Sequence, residues 1–463
     1  MRITLIAGQK LCGPACEDGY TLYEKEKCGL LPPPLSNTTK IVLKNSQITS
    51  SATVQVASAV NSGRAISISA AVGGRIFFNI KFLNISYSAE LQQALKDWLP
   101  SFISLGLTPD LPQGTVRRVP ERSVPPTFEK YGVEASFFLN FWENLGILLM
   151  IACVCVLLKL FEFLTIMKLK QVAYLQTVIK KIKVLMQNFL ITTLYGIYGD
   201  LVLFAILEYR TIKFNFDFSL LSFGMAFVLV IIMVTCLAFH YKLLKKYQKL
   251  KDQPDLLEAF DKDYEGVQAL YKDFEDKSLS RQGFLILLTL REITFSIIIS
   301  TLFNYPVIQS EIFLINSIFM IIYLIKENPF KSKFDYIQQI FFEMIGLIVN
   351  VGVFINSFQP GNNLLETKTV WTIGRMIIIM NLIFNFSSAM LMFIQILMII
   401  KDYWEAYKEK KAKRSKVVNY VEGPNEASHS IQGKSLTIHT EPSFVGETFR
   451  NEKSRFLRQG SML

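Results

Sequence analysis

Among the ionisable residues inside long apolar runs, six stand out: Asp200, Arg291, Glu292, Glu311, Glu343 and Arg375. Each such side chain costs roughly 2.5–3.5 kcal/mol to place in a membrane helix, so each calls for a partner or for water. At a rise of about 1.5 Å per residue, Arg291 lies about 10 Å and Glu343 about 13 Å in from the same side. The matched depths predict an inner Arg291–Glu343 pair. Glu311 and Arg375 both lie about 6–8 Å in from the other side, which predicts an outer pair. Arg291 and Glu292 are adjacent and point in different directions on a helix. Asp200 and Glu292 are then left near mid-depth without a basic partner. Together with Asn381, one turn from Asn385, they could line a cation route. The plainer alternative is interhelical hydrogen bonding that holds a bundle together.

The elements that position these residues are apolar runs. Candidate spans cover 136–158, 189–207, 218–241, 284–303, 307–325, 334–357 and 370–400. A helix needs roughly 20 residues to cross about 30 Å of hydrocarbon, and all seven approach or exceed that length. The chain is 51% apolar with mean hydropathy +0.32, and the excess follows residue 135. Thirty Lys and Arg fall on 159–188, 242–283, 326–333 and the tail from 401, against three on 208–217, 304–306 and 358–369. This asymmetry predicts a cytoplasmic C-terminus, an extracellular N-terminus and a plasma-membrane location. The fold class expected is an all-α polytopic membrane protein with a small β-rich extracellular N-terminal region and a disordered cytoplasmic tail. The net charge of +11 belongs to loops beside spans, so lipid rather than nucleic acid is the partner expected.

Residues 36–108 are expected to form the β-rich module. Val54 and Val56, Ile66 and Ile68, and Ile76, Phe78, Ile80 and Phe82 alternate with other residues at period two. Residues 109–135 are Pro-rich and read as a juxtamembrane linker. The sequons at Asn37 and Asn84 mark glycosylation sites if the region is outside. Cys12, Cys16 and Cys28 are disulfide candidates in an oxidising compartment. Their odd number, and the lack of a convincing signal peptide, suggest that residues 1–35 are the remnant of a longer Cys-rich ectodomain.

Inside the expected basic loop, Leu256, Leu257, Phe260, Tyr264, Val267, Tyr271 and Phe274 recur at helical steps. They predict an amphipathic helix over 255–277. Asp261, Asp263, Glu265 and Gly266 resemble the start of a calcium loop, but Lys272 stands where the bidentate Glu belongs. Calcium binding is therefore not expected. After the last span, Lys408, Lys410, Lys411, Lys413, Arg414 and Lys416 form a basic cluster suited to anionic inner-leaflet lipids. The rest of the 401–463 tail is Ser-, Gly- and Asn-rich and reads as disordered. No cofactor is implied. The chain is not expected to be an enzyme: its three histidines, His240, His429 and His439, converge with no nucleophile.

Several runs resemble the membrane region of large protist (ciliate-type) surface proteins. They are Tyr264-Glu265-Gly266 with Tyr271-Lys272-Asp273-Phe274, Leu290-Arg291-Glu292, Asn304-Tyr305-Pro306, Asn328-Pro329-Phe330-Lys331-Ser332-Lys333 and Phe341-Phe342-Glu343. Tyr131-Gly132-Val133 and Phe138-Leu139-Asn140 lead into the first span in the same way. In that family, Cys-rich growth-factor-receptor-like repeats precede a multi-span domain similar to the transmembrane part of TRP-like proteins. The resemblance implies that Arg291, the Pro329-Phe330-Lys331 turn and Glu343 share a cytoplasmic-side framework. It also implies a surface protein that senses or conducts cations. A seven-span receptor and a non-conducting anchor for an adhesive ectodomain are the alternatives, and homo-oligomerisation is left open.

Overall fold

The computed structural model describes residues 36–60, 65–97, 124–168, 173–212, 218–358 and 367–421. It also gives the backbone of four short strands: β1 (Thr4–Ile6), β2 (Gln9–Leu11), β3 (Tyr20–Tyr23) and β4 (Lys27–Leu30). They form two antiparallel hairpins, β1 on β2 and β3 on β4. Cys28 lies in β4, opposite Leu22. Cys12 and Cys16 lie outside the described residues.

Four helices follow where strands were expected: α1 (Asn37–Val60), α2 (Ala65–Gly73), α3 (Arg75–Lys81) and α4 (Ala89–Asp97). The β-rich reading of 36–108 is therefore corrected to helix for its described part. The reason lies in burial. From Ala65 to Leu83 nearly every described side chain is buried, including Ile66, Ile68, Ser69, Ala71, Ile76, Phe77, Asn79 and Phe82. A helix buried on all sides need not confine its apolar residues to one stripe, so its sequence carries no single-face signal. The period-two pattern picked out only alternate members of that continuous set.

Then come α5 (Pro126–Lys130), α6 (Phe137–Lys168), α7 (Ala173–Thr211), α8 (Phe218–Leu250), α9 (Pro254–Asp263), α10 (Leu279–Gln282), α11 (Phe284–Thr301), α12 (Pro306–Glu327), α13 (Lys333–Ser357) and α14 (Thr367–Val421). Seven of these, α6, α7, α8 and α11 to α14, are long and apolar enough to cross a membrane. The chain is a multi-pass membrane protein. Among the spans α7 is central, with 78% of its apolar window buried, against 22% for α6 and 17% for α8. The outer two present Val156, Leu157, Phe163, Phe227, Val228 and Val234 to the surroundings, as lipid-facing helices do.

Two faces of the bundle can be told apart. At one, the α8–α11 and α12–α13 connections join through an isolated bridge between Phe274 and Phe330. Glu275 N donates to Pro329 O at 2.8 Å and Lys331 N to Asp273 O at 3.0 Å. The rings of Phe274, Phe284 and Phe330 cluster behind it, with centroids 5.0–6.0 Å apart. We call this the basic face. At the opposite face, Glu208 near the end of α7 accepts a 2.7 Å bond from Phe137 N.

The α2–α3 segment runs from one face to the other. Ala65 N donates to Asp273 Oδ2 at 2.9 Å on the basic face. On the opposite face Phe82 stacks on Phe128 at 5.2 Å, and Lys81 lies over Tyr131 at 5.1 Å. Gly74, at φ −61° and ψ −20°, keeps the junction of α2 and α3 near-helical. Along that path it packs against α7, α11 and α13. Helix α1 packs on α2 and α7 and ends four residues before α2 begins.

The expected amphipathic helix over 255–277 is shorter than its pattern. Helix α9 ends at Asp263, and a 3-10 turn, Glu265–Leu270, follows with non-helical backbone at Val267. The chain then straightens into the Phe274 bridge. Phe260, Tyr271 and Phe274 still point inward, so the apolar face is real while the helix is not continuous. A Cβ on Gly266 would lie 2.0 Å from Gln187 Oε1, so the turn seats closely on α7. The Tyr271 hydroxyl donates to Asp261 at 3.0 Å, and burial together with that carboxylate pushes the phenol above its ordinary value. Lys272 Nζ lies 3.9 Å from Asp261, a cation of the chain's own beside the calcium-like acids.

From Tyr403 the chain belongs to a second unit. The tail expected to be disordered is helical as far as Val421, because Lys, Glu and Ala propagate a helix well. Residues 422–463 lie outside the described residues.

Candidate functional site: a buried charge network

Arg75 occupies the middle of the α2–α3 segment and is 4% exposed, so its charge calls for a partner. Its Nη1 lies 2.6 Å from Asp200 Oδ1 on α7, and its Nε lies 3.6 Å from Glu292 Oε2 on α11. Asn79, one turn on, donates to Glu292 Oε2 at 3.0 Å. The two acids expected to stand without a basic partner therefore share one. That partner comes from a stretch whose pattern pointed to an extracellular strand.

The network continues along α11 and α13. Arg291 Nη1 lies 2.5 Å from Glu343 Oε2, so the structure brings together the two residues matched by depth. Arg291 Nε is 3.6 Å from Glu292 Oε1. Gln339 donates to Glu343 Oε1 at 2.9 Å and bonds Ser69 of α2. At the other end Asn144 of α6 donates to Asp200 at 3.5 Å. Asp200, Arg75, Glu292, Arg291 and Glu343 are all at most 4% exposed. Six helices, α2, α3, α6, α7, α11 and α13, are tied together by this chain of polar side chains.

Gly199 makes room for it. A Cβ there would sit 2.6 Å from Arg75 Nε and Nη2, so the guanidinium lies against bare backbone. Ser296 Oγ donates to the Gly199 carbonyl at 2.8 Å, locking α11 at the same spot. Gly199→Ala is expected to displace the guanidinium and to cost about 1–3 kcal/mol, the usual price of overpacking. Denaturant titration of the detergent-solubilised protein measures it, and an unchanged midpoint would refute the packing.

The expected outer pair does not form. Arg375 instead makes two bonds to Glu90 of α4, Nε to Oε2 at 2.9 Å and Nη2 to Oε1 at 3.1 Å, while Glu311 is exposed. Depth along an axis does not fix rotation about it, and Glu311 lies on an exposed face of its helix. Asn381 accepts from Asn385 at 2.9 Å along its own helix, and Arg75 rather than Asn381 meets Asp200 and Glu292. Of the three residues read as lining a cation route, Asp200 and Glu292 meet at Arg75, and Asn381 is not brought to them.

Two buried groups were missed. Glu208 accepts from Phe137 N and from Ser222 Oγ, both at 2.7 Å, and so caps the start of α6. An acidic side chain is favoured there by the helix dipole. Its position near a span end gave no hint of that partner. His240, fully buried on α8, bonds the Tyr195 hydroxyl at 2.6 Å and the Leu270 carbonyl at 3.1 Å. It joins the bundle to the 3-10 turn.

Near the opposite face, burial raises the Tyr131 phenol to about 12 and lowers the Lys130 ammonium. Asn84 is exposed in the loop after α3 and accepts from Thr127 at 3.2 Å. Asn37 is exposed at the first position of α1. Of the basic cluster, Lys408 is exposed with its ammonium 5.6 Å from the Trp404 ring. Lys410, Lys411, Lys413, Arg414 and Lys416 lie on the same helix, α14. No family model, curated protein or solved structure matches the chain.

Proposed function

We propose that this chain is a plasma-membrane protein of the TRP-like, sensing or cation-conducting kind, with the face that carries Asn84 outside and its C-terminus inside. The observation that carries this reading is the buried charge network. It is ion-paired rather than merely hydrogen-bonded, it sits deep among the spans, and it is completed by a segment from the N-terminal region. A plain anchor has no need of charges whose burial is costly. Thirty basic residues against three support the orientation. The short motifs shared with protist Cys-rich surface proteins support the kinship. The basic run on α14 is suited to anionic inner-leaflet lipid.

Purified protein in planar bilayers is expected to pass cations under voltage, heat or tension. Asp200→Asn is expected to lower the current several-fold, since Arg75 then loses its 2.6 Å carboxylate partner. Silence under all three stimuli refutes conduction and favours an anchor. Nucleotide exchange on a co-expressed G protein would instead mark a receptor. The orientation has its own test. Asn84 is expected to carry a glycan in a eukaryotic host, seen as a mobility shift that Asn84→Gln abolishes. A glycan placed between residues 251 and 283 would reverse the topology.

A further inference from the structure

We propose that the buried network binds one exchangeable proton, carried on Glu292. The argument is a charge count joined to geometry. Two guanidiniums, Arg75 and Arg291, face three carboxyl groups, Asp200, Glu292 and Glu343. Each arginine has one close partner: Arg75 with Asp200 at 2.6 Å, Arg291 with Glu343 at 2.5 Å. Glu292 is the third. It sits between the two arginines, 3.6 Å from the Nε of each, beyond hydrogen-bonding distance. Its Oε2 accepts from Asn79, while its buried Oε1 has no hydrogen-bond partner. The surplus negative charge therefore falls on Glu292, and Oε1, whose nearest cation is Arg291 Nε at the longer distance of 3.6 Å, is the atom on which a proton can reside.

Among the described residues that contact the site, no other charge balances it. On α3, Lys81 turns to the rings of Phe82 and Tyr131. Helix α6 offers the neutral Asn144, and α13 adds only Gln339 beside Glu343. On α7, Glu208 lies two turns beyond Asp200 and caps α6. On α14, Arg375 is taken by Glu90, and Glu311 of α12 is exposed. An uncompensated carboxylate in such surroundings is far costlier than a neutral acid. Taking up one proton from solvent converts the Glu292 carboxylate to a carboxylic acid and leaves two matched pairs. Losing it leaves three acids competing for two arginines. This inference does not rest on conduction, so a silent bilayer would leave it standing.

Infrared spectroscopy of the purified full chain in lipid reads it directly. At neutral pH the wild type is expected to show the carbonyl stretch of a protonated carboxyl group, shifted in heavy water. Glu292→Gln should abolish that band, and Glu208→Gln should leave it. If Glu292→Gln yields no folded protein, Glu292→Asp keeps a carboxyl in an altered position and should shift the band. A wild-type spectrum without the band overturns the proposal. So does a band that survives Glu292→Gln, disappears in Glu208→Gln or is unmoved by Glu292→Asp. Absence of the band with a thermal midpoint raised by sodium or potassium would overturn it in favour of a bound metal cation.

Discussion

Arg75→Met is expected to destabilise the folded protein by about 3–5 kcal/mol, the cost of stripping one partner from a buried ion pair. The methionine fills most of the volume but none of the charge. Asp200 would lose its 2.6 Å guanidinium contact, and Glu292 would lose one of the two arginines that flank it. Both carboxylates are at most 2% exposed, so water cannot replace the lost partner without opening the bundle. Unfolding by denaturant in detergent micelles measures the loss. The triple change Arg75→Met, Asp200→Asn, Glu292→Gln should recover most of it, because removing a whole buried charged set is often near-neutral. A fall in stability that the triple change does not repair would trace the effect to packing. No fall at all would show that Arg75 is not where the structure places it.

The membrane domain was legible because a bilayer imposes one strong axis. Seven apolar runs of sufficient length became seven helices, and depth along that axis paired Arg291 with Glu343 from numbering alone. The same axis says nothing of rotation, which is why Arg375 found Glu90 and Glu311 points outward. It also says nothing of elements not counted as spans. The 65–83 stretch carries Arg75, Asn79 and Lys81 and a Gly-Gly junction, so it is too polar and too broken to read as a span. Buried among other helices rather than in lipid, it has no reason to be uniformly apolar. Asp200 and Glu292 stood in the sequence as acids without a base. That deficit was the one available sign that a basic residue enters the bundle from elsewhere. A search for an unassigned Arg or Lys within an apolar stretch would have led to Arg75. The caps are a different case. Glu208 on the start of α6 and Ser222 beside it meet only through the fold, and no spacing rule announces them.

A chain that begins at residue 98 is expected to lose more than any single substitution. It keeps all seven candidate spans, so insertion should proceed, since each span carries its own hydropathy and flanking charges. It loses α2 and α3, on which Ile66, Ala70, Ile76, Phe77 and Ile80 fill the space between α7, α11 and α13. Between membrane helices, such contacts act through close packing rather than through exclusion of water. The cut also removes Arg75 and so carries at least the same cost of about 3–5 kcal/mol. Gly346, whose added Cβ would sit 2.6 Å from Ile76 Cδ1, and Gly199, shaped to the guanidinium, would then line a gap. The shortened chain should insert but elute as aggregate from a sizing column. Residues 1–97 supplied as a separate polypeptide should restore a monodisperse peak, and the same polypeptide carrying Arg75→Met should not. If the shortened chain alone is monodisperse and unfolds at the midpoint of the full protein, the α2–α3 segment lies outside the bundle.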